Sequence, residues 1–362
     1  MVTSYDLLRR DEALYEGQEF YACILDEAQA IKNHTTQKYK AVCKVRSRVR
    51  FALTGTPVEN RLGELWSIFS FLMPGYLPPY KSFCSRFEKP IVQEEDQTAV
   101  RRLNQLTGPF ILRRMKADVL KELPPKTENV YRIELEEEQR KLYLAAVVDA
   151  REKLRAAKPE DKMAVFAVLM RLREICCDPR LIADNWEGGS AKLDACVELI
   201  TGAVEGGHRI LLFSQFTSML ELLAKRLDAE GISHFTLQGS TPKPVRAELV
   251  RRFNGGEASV FLISLRAGGT GLNLTAADIV IHYDPWWNVA AQNQATDRAY
   301  RIGQQNPVQV YKLIAQDTIE EKIVELQQAK QSLADTVTGT ADGAILSMRP
   351  DELLQLLEGS EG

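Results

Sequence analysis

Not one of the 22 glycines in this sequence is followed by lysine, so the chain holds no GxxxxGK[ST] loop, the motif whose backbone N–H groups and lysine cradle nucleotide phosphates. Cysteine is sparse. Cys23, Cys43, Cys84, Cys176, Cys177 and Cys196 form no CxxC pair and are too dilute to staple a chain of 362 residues, which argues for buried thiols in a reducing cytosol against the alternative of a disulfide framework or zinc site. No uninterrupted apolar run reaches the ~18 residues of a membrane-spanning helix, and the opening MVTSYDLLRRDEALYEG lacks the apolar core of a signal peptide. The expected location is the cytoplasm. Bulk positive charge is missing too: 46 Lys+Arg stand against 49 Asp+Glu, a net charge of -3, so any binding of nucleic acid must rest on a local basic surface.

What is present is ordinary globular usage, 45% hydrophobic and 26% charged, which excludes disordered, collagen-like and coiled-coil chains. At roughly 100 to 200 residues per domain, the length predicts about two domains. Phe20 to Leu25 runs into Asp26-Glu27-Ala28-Gln29, and Phe51 to Leu53 runs into Thr54-Gly55-Thr56-Pro57; both read as buried parallel strands ending in polar loops. A helix is expected from about Asn60 to Met73. The first block reaches about Leu123, Pro124-Pro125 breaks the chain, and residues 135–183 read as helices, with Asn185 to Ser190 as a linker. From there strands alternate with helices: Ile210 to Phe213, His234 to Leu237, Val260 to Ile263, Ile279 to Tyr283 and Val308 to Leu313. That rhythm predicts a βαβ series and a parallel sheet, whose ligand-facing loops leave the carboxyl ends of the strands. A last helix is expected from Thr318 to Ala334, then a tail with a Leu-rich patch, Leu353 to Leu357.

The polar loops carry the chemistry. Asp26 at a strand end can hold Mg²⁺ through water, and Glu27 can orient or deprotonate an attacking water; the alternative is that both acids merely cap the next helix. The hydroxyls of Thr54 and Thr56 can sense a γ-phosphate region, or Thr54 to Pro57 is an ordinary turn. Arg298 and Arg301 stand three apart in QATDRAYRIGQ, which predicts one helix face and two guanidinium groups able to reach one phosphate; a solvated charged face paired with Asp297 is the alternative. Ser264 to Leu274 is glycine-rich after a strand, either a phosphate-approaching loop or a tight turn.

DEAQ, LTGTPVEN, FILRRMKADVLKELPPK, LLFSQF, LQGST, SLRAGGTGLNLTAADIVIHYDPWWN and QATDRAYRIGQ occur in this order. On these motifs the chain closely resembles the Swi/Snf-type family of DNA-translocating ATPases among the superfamily-two helicase-like proteins, from Thr3 to about Glu325. The resemblance implies an α/β fold of two RecA-like lobes with parallel sheets, the first incomplete, and a helical insertion between them: 1–123, 124–189, 190–335, then a tail, 336–362. It implies ATP and Mg²⁺ between the lobes, double-stranded DNA across both, and a DNA-bound protein such as RNA polymerase as the object remodelled. Asp26 and Glu27 are then the Mg²⁺ and water-activating acids, and Arg298 and Arg301 the arginine fingers. Thr54, Gly55 and Thr56 couple hydrolysis to lobe movement, with Gly269, Gly271 and Gln294 near the nucleotide. Gln215, Gln238, Gly239, Ser240, Thr241, Arg266 and Thr270 track the DNA backbone, and Trp286 and Trp287 support that surface or pack beneath it.

Two departures matter. Tyr300 stands where the family usually has histidine. The absent phosphate loop leads to the expectation of a piece of a longer motor whose first lobe lacks its opening strands, the competing expectation being a non-catalytic DNA-binding or partner-binding module.

Overall fold

The computed structural model describes residues 1–55, 62–94, 96–112, 114, 119–120, 122–158, 161–183, 185–268, 271–327 and 350–358. The chain divides into two compact units, one containing Met1–Arg113 and the other Arg114–Leu326 with Ala344–Gly362.

The first unit is built on two parallel strands, β1 (Glu19–Leu25) and β2 (Arg46–Ala52), joined through a short 3-10 turn (Ala28–Ile31) and the helix Gln37–Lys44. Ser4 and Thr36 cap the helices Tyr5–Arg10 and Gln37–Lys44 by accepting the N–H groups of Leu7 and Tyr39. Leu8, Leu25, Ala28, Ile31, Val42, Val45 and Phe71 close one side of the sheet. The helix expected from Asn60 to Met73 is described over Leu62–Leu72, Asn60 lying outside the described residues, and it packs Leu65 and Phe69 against Phe83, Phe87 and Leu103. The other side of the sheet is different. Ile24, Val49, Phe51 and Leu53 are 61%, 39%, 52% and 54% exposed, and Ile24 pairs in register with Phe51. Parallel strands are ordinarily covered on both faces, so this is an apolar surface with no cover among the described residues.

The second unit carries a six-stranded, wholly parallel sheet in the order β3-β8-β7-β4-β6-β5. Its strands are β3 (Lys126–Ile133), β4 (Ile210–Ser214), β5 (His234–Leu237), β6 (Val260–Ser264), β7 (Ile279–His282) and β8 (Val308–Ala315). The apolar runs ILLFS, VFLIS and IVIH form three strands buried at every residue, as a sheet covered on both faces requires. One face packs on Leu193, Val197, Ile200, Leu220 and Leu223, the other on Phe253, Leu274, Ala295 and Ala299.

The segment expected as a helical insertion and linker differs in one respect: it opens with β3, which pairs along its whole length with β8. The helices Glu137–Ala156 and Lys162–Cys177 follow and pack on each other through Tyr143, Val147, Leu169 and Leu172. The expected linker is held to the same unit. Ser190 is buried and donates to the Cys177 carbonyl (3.2 Å), and a Cβ on Gly189 would lie 2.5 Å from the Glu136 carboxylate. Residues 350–358 form a helix that seats Leu353 and Leu357 against the helical pair, with Arg151 Nη2 donating to the Leu357 carbonyl (2.7 Å).

Two buried ion pairs cross this unit. Lys192, on the helix Ala191–Glu205, meets Glu320, and both side chains are fully buried. Burial works against the Lys192 charge, but Glu320 and the neighbouring thiols outweigh it and raise the ammonium above its ordinary value. Arg173 meets Asp284 (3.1 Å), also at near-zero exposure. All six cysteines are free, and Cys176, Cys177 and Cys196 are buried. Among the described residues no helix is long and apolar enough to cross a membrane.

Candidate functional site

In the first unit the candidate site lies where β1 and β2 end side by side. Leu53 N–H donates to the Leu25 carbonyl (2.7 Å) and Ala28 N–H to the Leu53 carbonyl (2.9 Å), which ties the two strand-end loops together. The chain turns sharply at Glu27, a non-glycine residue in the left-handed region (φ 50°, ψ 52°); such backbone strain persists only where neighbours hold it. They do. Asp26 Oδ1 accepts the Glu27 N–H (3.0 Å), and Tyr5 donates its hydroxyl to the Asp26 carbonyl (2.7 Å). Gln29 Nε2 donates to Glu27 Oε2 (2.6 Å), and Thr54 Oγ1 donates to Gln29 Oε1 (2.7 Å). Asp26 and Glu27 are exposed, and Glu27 makes no side-chain cap on the turn it precedes, so the helix-cap alternative is not how this acid is used. Burial, followed by the charge of Asp26, raises the Tyr5 phenol to about 12.

Gln29 is the residue that the sequence reading left without a role. Its amide joins Glu27 on one strand end to Thr54 on the other, a link that DEAQ alone does not reveal. Gly55 is exposed and a Cβ there would meet nothing within 4 Å. Thr56 lies outside the described residues.

In the second unit the arginines require a correction. The helix carrying Gln294 runs Val289–Thr296, capped by Asn288, and stops there, so Arg298 and Arg301 do not share a helix face; they lie in the successive turns that follow. The reason is local. Gln304 Nε2 donates to the carbonyls of Thr275 (3.2 Å), Ala277 (2.7 Å) and Ala299 (3.2 Å), and Gly303 adopts φ +102°, which brings the chain round towards β8. Both arginines are anchored to the segment after Gly271. The Arg298 carbonyl accepts the Leu274 N–H (3.0 Å), and Arg301 Nη1 donates to the Leu272 carbonyl (3.2 Å). Gly271 is exposed at φ +29°. Gly269 and Thr270 lie outside the described residues, as does the side chain of Arg266.

The helix Val289–Thr296 is tied to the sheet by His282, whose Nε2 lies 2.9 Å from Thr296 Oγ1 and whose ring stacks on Phe213. Burial, with Lys312 second, pushes this imidazole down to about 3. A group neutral in the fold and free to charge at about 6.5 when unfolded contributes stability that is complete above that pH and is lost as pH falls towards 3. His282→Gln should therefore flatten the pH dependence of the urea midpoint between about pH 6.5 and 4.5. Burial would raise the Glu128 carboxyl, but Lys126 and Lys312 outweigh it and hold it at about 2, so its own loss begins only below that window. A variant whose curve parallels the wild type from pH 6.5 to 4.5 would refute the assignment.

The loop Gln238–Thr241 is closed by reciprocal bonds, Gln238 N–H to Thr241 Oγ1 (3.0 Å) and Thr241 N–H to the Gln238 carbonyl (3.1 Å). Arg246 clasps its carbonyls at Thr241 (3.2 Å) and Gly239 (3.1 Å), so Gly239 and Ser240 are presented outwards. Gln215 donates its N–H to Asp284 Oδ1 (3.2 Å). Trp287 is 5% exposed and belongs to the core beneath the helical pair, while Trp286 is half-buried against both that core and the sheet. Packing thus takes up the Trp287 ring and part of the Trp286 ring.

Comparison with known proteins fits this geometry. Residues 1–181 match the SNF2-related domain and residues 191–303 the helicase conserved C-terminal domain. The chain is 40% identical to an uncharacterized ATP-dependent helicase of Mycoplasma pneumoniae, over 99% of its own length and 34% of the relative's. It is 40% identical to the putative ATP-dependent helicase/translocase YwqA of Bacillus subtilis, over 98% of its own length and 40% of the relative's. Among solved structures, the Sulfolobus solfataricus SWI2/SNF2 ATPase core in complex with dsDNA aligns with TM-score 0.53 and 36% identity over 92% of this chain and 72% of that one. The core domain of the same organism's SWI2/SNF2 ATPase aligns with TM-score 0.56 and 35% identity over 98% and 74%. The chain therefore spans between a third and two fifths of the length of these two bacterial relatives. With parallel sheets in both units, acids at a strand end of the first and paired arginines in the turns after a helix of the second, the chain belongs to the SNF2 family of ATP-dependent helicase-like proteins.

Proposed function

We propose that the chain is the ATP-hydrolysing and DNA-tracking back part of a double-stranded-DNA translocase that remodels protein–DNA complexes in the cytoplasm. The observation that carries this reading is the Asp26–Glu27–Gln29–Thr54 network, which links a water-activating carboxylate to a hydroxyl in the loop that leaves the neighbouring strand. In this reading Glu27 activates the water, and Arg298 and Arg301 stabilise charge on the transferred phosphoryl group. Asp26, an exposed hard-oxygen donor at a strand end, suits Mg²⁺, which takes one or two carboxylates and completes its shell with water and substrate phosphates. When bound, that ion would neutralise phosphate charge. The residues near ATP would include Thr54, Gly55, Thr56, Gly269, Gly271 and Gln294. Gln215, Gln238 to Thr241, Arg266, Thr270 and the unburied part of Trp286 would follow DNA, and the displaced partner would be a DNA-bound protein such as RNA polymerase.

The absent lysine-bearing loop is the other half of the proposal. Further strands, carrying a phosphate loop from outside these 362 residues, would add along an edge of the β1–β2 sheet, and the exposed Ile24–Phe51 face is the apolar surface that a completed first lobe would cover. The test is ATP hydrolysis by this chain, with and without duplex DNA, beside a form extended to include such a loop. Turnover by the extended form alone is expected; turnover by the short chain that Glu27→Gln abolishes would overturn the requirement for the loop. A second reading, a non-catalytic DNA-binding module, is favoured by that missing loop. Both readings expect duplex affinity to fall linearly in log salt, without sequence preference, by about 0.9 per phosphate neutralised. They part on whether the extended form hydrolyses ATP.

A further inference from the structure

Arg173 is the largest fully buried side chain in the molecule as described, and the nucleotide chemistry makes no use of it. It comes from the helix Lys162–Cys177, outside the βαβ series, and its Nη2 reaches two acceptors on one loop, Asp284 Oδ2 (3.1 Å) and the Pro285 carbonyl. Its guanidinium lies 4.2 Å from the centre of the Trp287 ring and 5.6 Å from that of Phe216. Nε and Nη1 have no hydrogen-bond partner among the described residues. Asp284 carries the connection onward. Its Oδ1 accepts the Ser214 hydroxyl (2.6 Å) and the Gln215 N–H (3.2 Å), while Ser214 Oγ accepts the Phe216 N–H (3.1 Å). One guanidinium thus fastens the loop after β4 to the loop after β7.

A buried ion pair is weak support for stability, because the desolvation of both ions offsets their attraction, and a packed apolar pair often does as well. Apolar packing, however, cannot fix the direction in which two loops leave a sheet. A planar guanidinium that lies over an indole and, through one terminal nitrogen, bonds both a carboxylate and a carbonyl can.

We propose that Arg173 is a positioning residue: it locks the Ser214–Phe216 and Asp284–Trp287 loops in one arrangement, so that the helical pair sets the surface these loops offer to the DNA backbone. This rests on the DNA-tracking reading above. Being fully buried, Arg173 cannot itself contact a phosphate, so any effect of changing it on DNA binding must pass through the loops.

The test compares the full chain with Arg173→Lys, which keeps the charge and loses the planar guanidinium over Trp287, and with Ser214→Ala, which removes one hydroxyl at nearly constant volume. Amide hydrogen exchange, read without DNA, should show Gln215 and Phe216 losing protection by tenfold or more while β4 and β6 keep theirs. Titration with a random-sequence duplex in rising salt should show the slope of log affinity against log salt reduced by about 0.9 or more, the loss of one phosphate contact. Uniform loss of protection through the sheet would mean that Arg173 only stabilises the unit, and would overturn the proposal. So would an unchanged salt slope with loosened loops. If the wild type shows no salt-dependent duplex binding, the DNA-tracking reading fails, and with it the role of the lock towards DNA; the exchange data then separately report whether Arg173 holds the loops.

Discussion

Lys192→Ala should lower the unfolding free energy of the second unit by about 3–5 kcal/mol, the loss typical of stranding one member of a buried ion pair. Glu320 would keep its bond from the Ala315 N–H (2.9 Å) but lose the ammonium that neutralises it in a site without solvent. The partner change is informative. Glu320→Gln keeps an acceptor for Ala315 and removes the charge, so Lys192→Met with Glu320→Gln should recover a large part of what Lys192→Ala loses. Urea denaturation of the full chain, followed by exchange of the β4 amides, gives both numbers. A single-variant loss below about 1 kcal/mol, or a double variant no better than the single, would show that this pair does not hold the helix Ala191–Glu205 to the chain beyond β8.

The second large effect belongs to catalysis. Arginine fingers contribute roughly 10³–10⁵ in rate, so in a form of the protein that hydrolyses ATP, Arg301→Ala should reduce turnover by that order with little change in duplex affinity. Arg301 bonds the Leu272 carbonyl through Nη1 alone, and its removal leaves the Gln304 contacts that shape this turn in place. Arg301→Lys separates the explanations: a finger that needs the fork is not rescued, whereas a generic positive charge is. Parallel loss of DNA binding and turnover would assign Arg301 to the fold.

Much of this architecture could be read from local pattern because the residues that make it are local. ILLFS, VFLIS and IVIH are continuous apolar runs, and a strand buried on both faces needs nothing else to declare it. Asp26 and Glu27 stand at the end of another apolar run, FYACIL, although one face of that strand is exposed. What failed to show depends on distance or on a turn. Arg298 and Arg301 have the spacing of a helix face, yet Gln304 and Gly303 end the regularity from downstream. Gln29 joins Thr54 across 25 positions and Arg173 joins Asp284 across 111, and no periodicity encodes either. Strand β3 escaped because KTENVYRI has neither an apolar run nor clean alternation, seven of its eight residues being exposed.

That polar strand has a consequence for how the protein is made. Glu128 of β3 meets Lys312 of β8 across 184 positions, so a ribosome adding ~5–20 residues per second makes β3 wait roughly 10–40 s for its partner. An apolar strand left open for so long would invite pairing with neighbouring nascent chains, as any unprotected sheet edge does. Lys126, Glu128, Asn129 and Arg132 along β3 let it stay hydrated through the delay. The feature that concealed the strand in the sequence is what makes its late capture safe during synthesis.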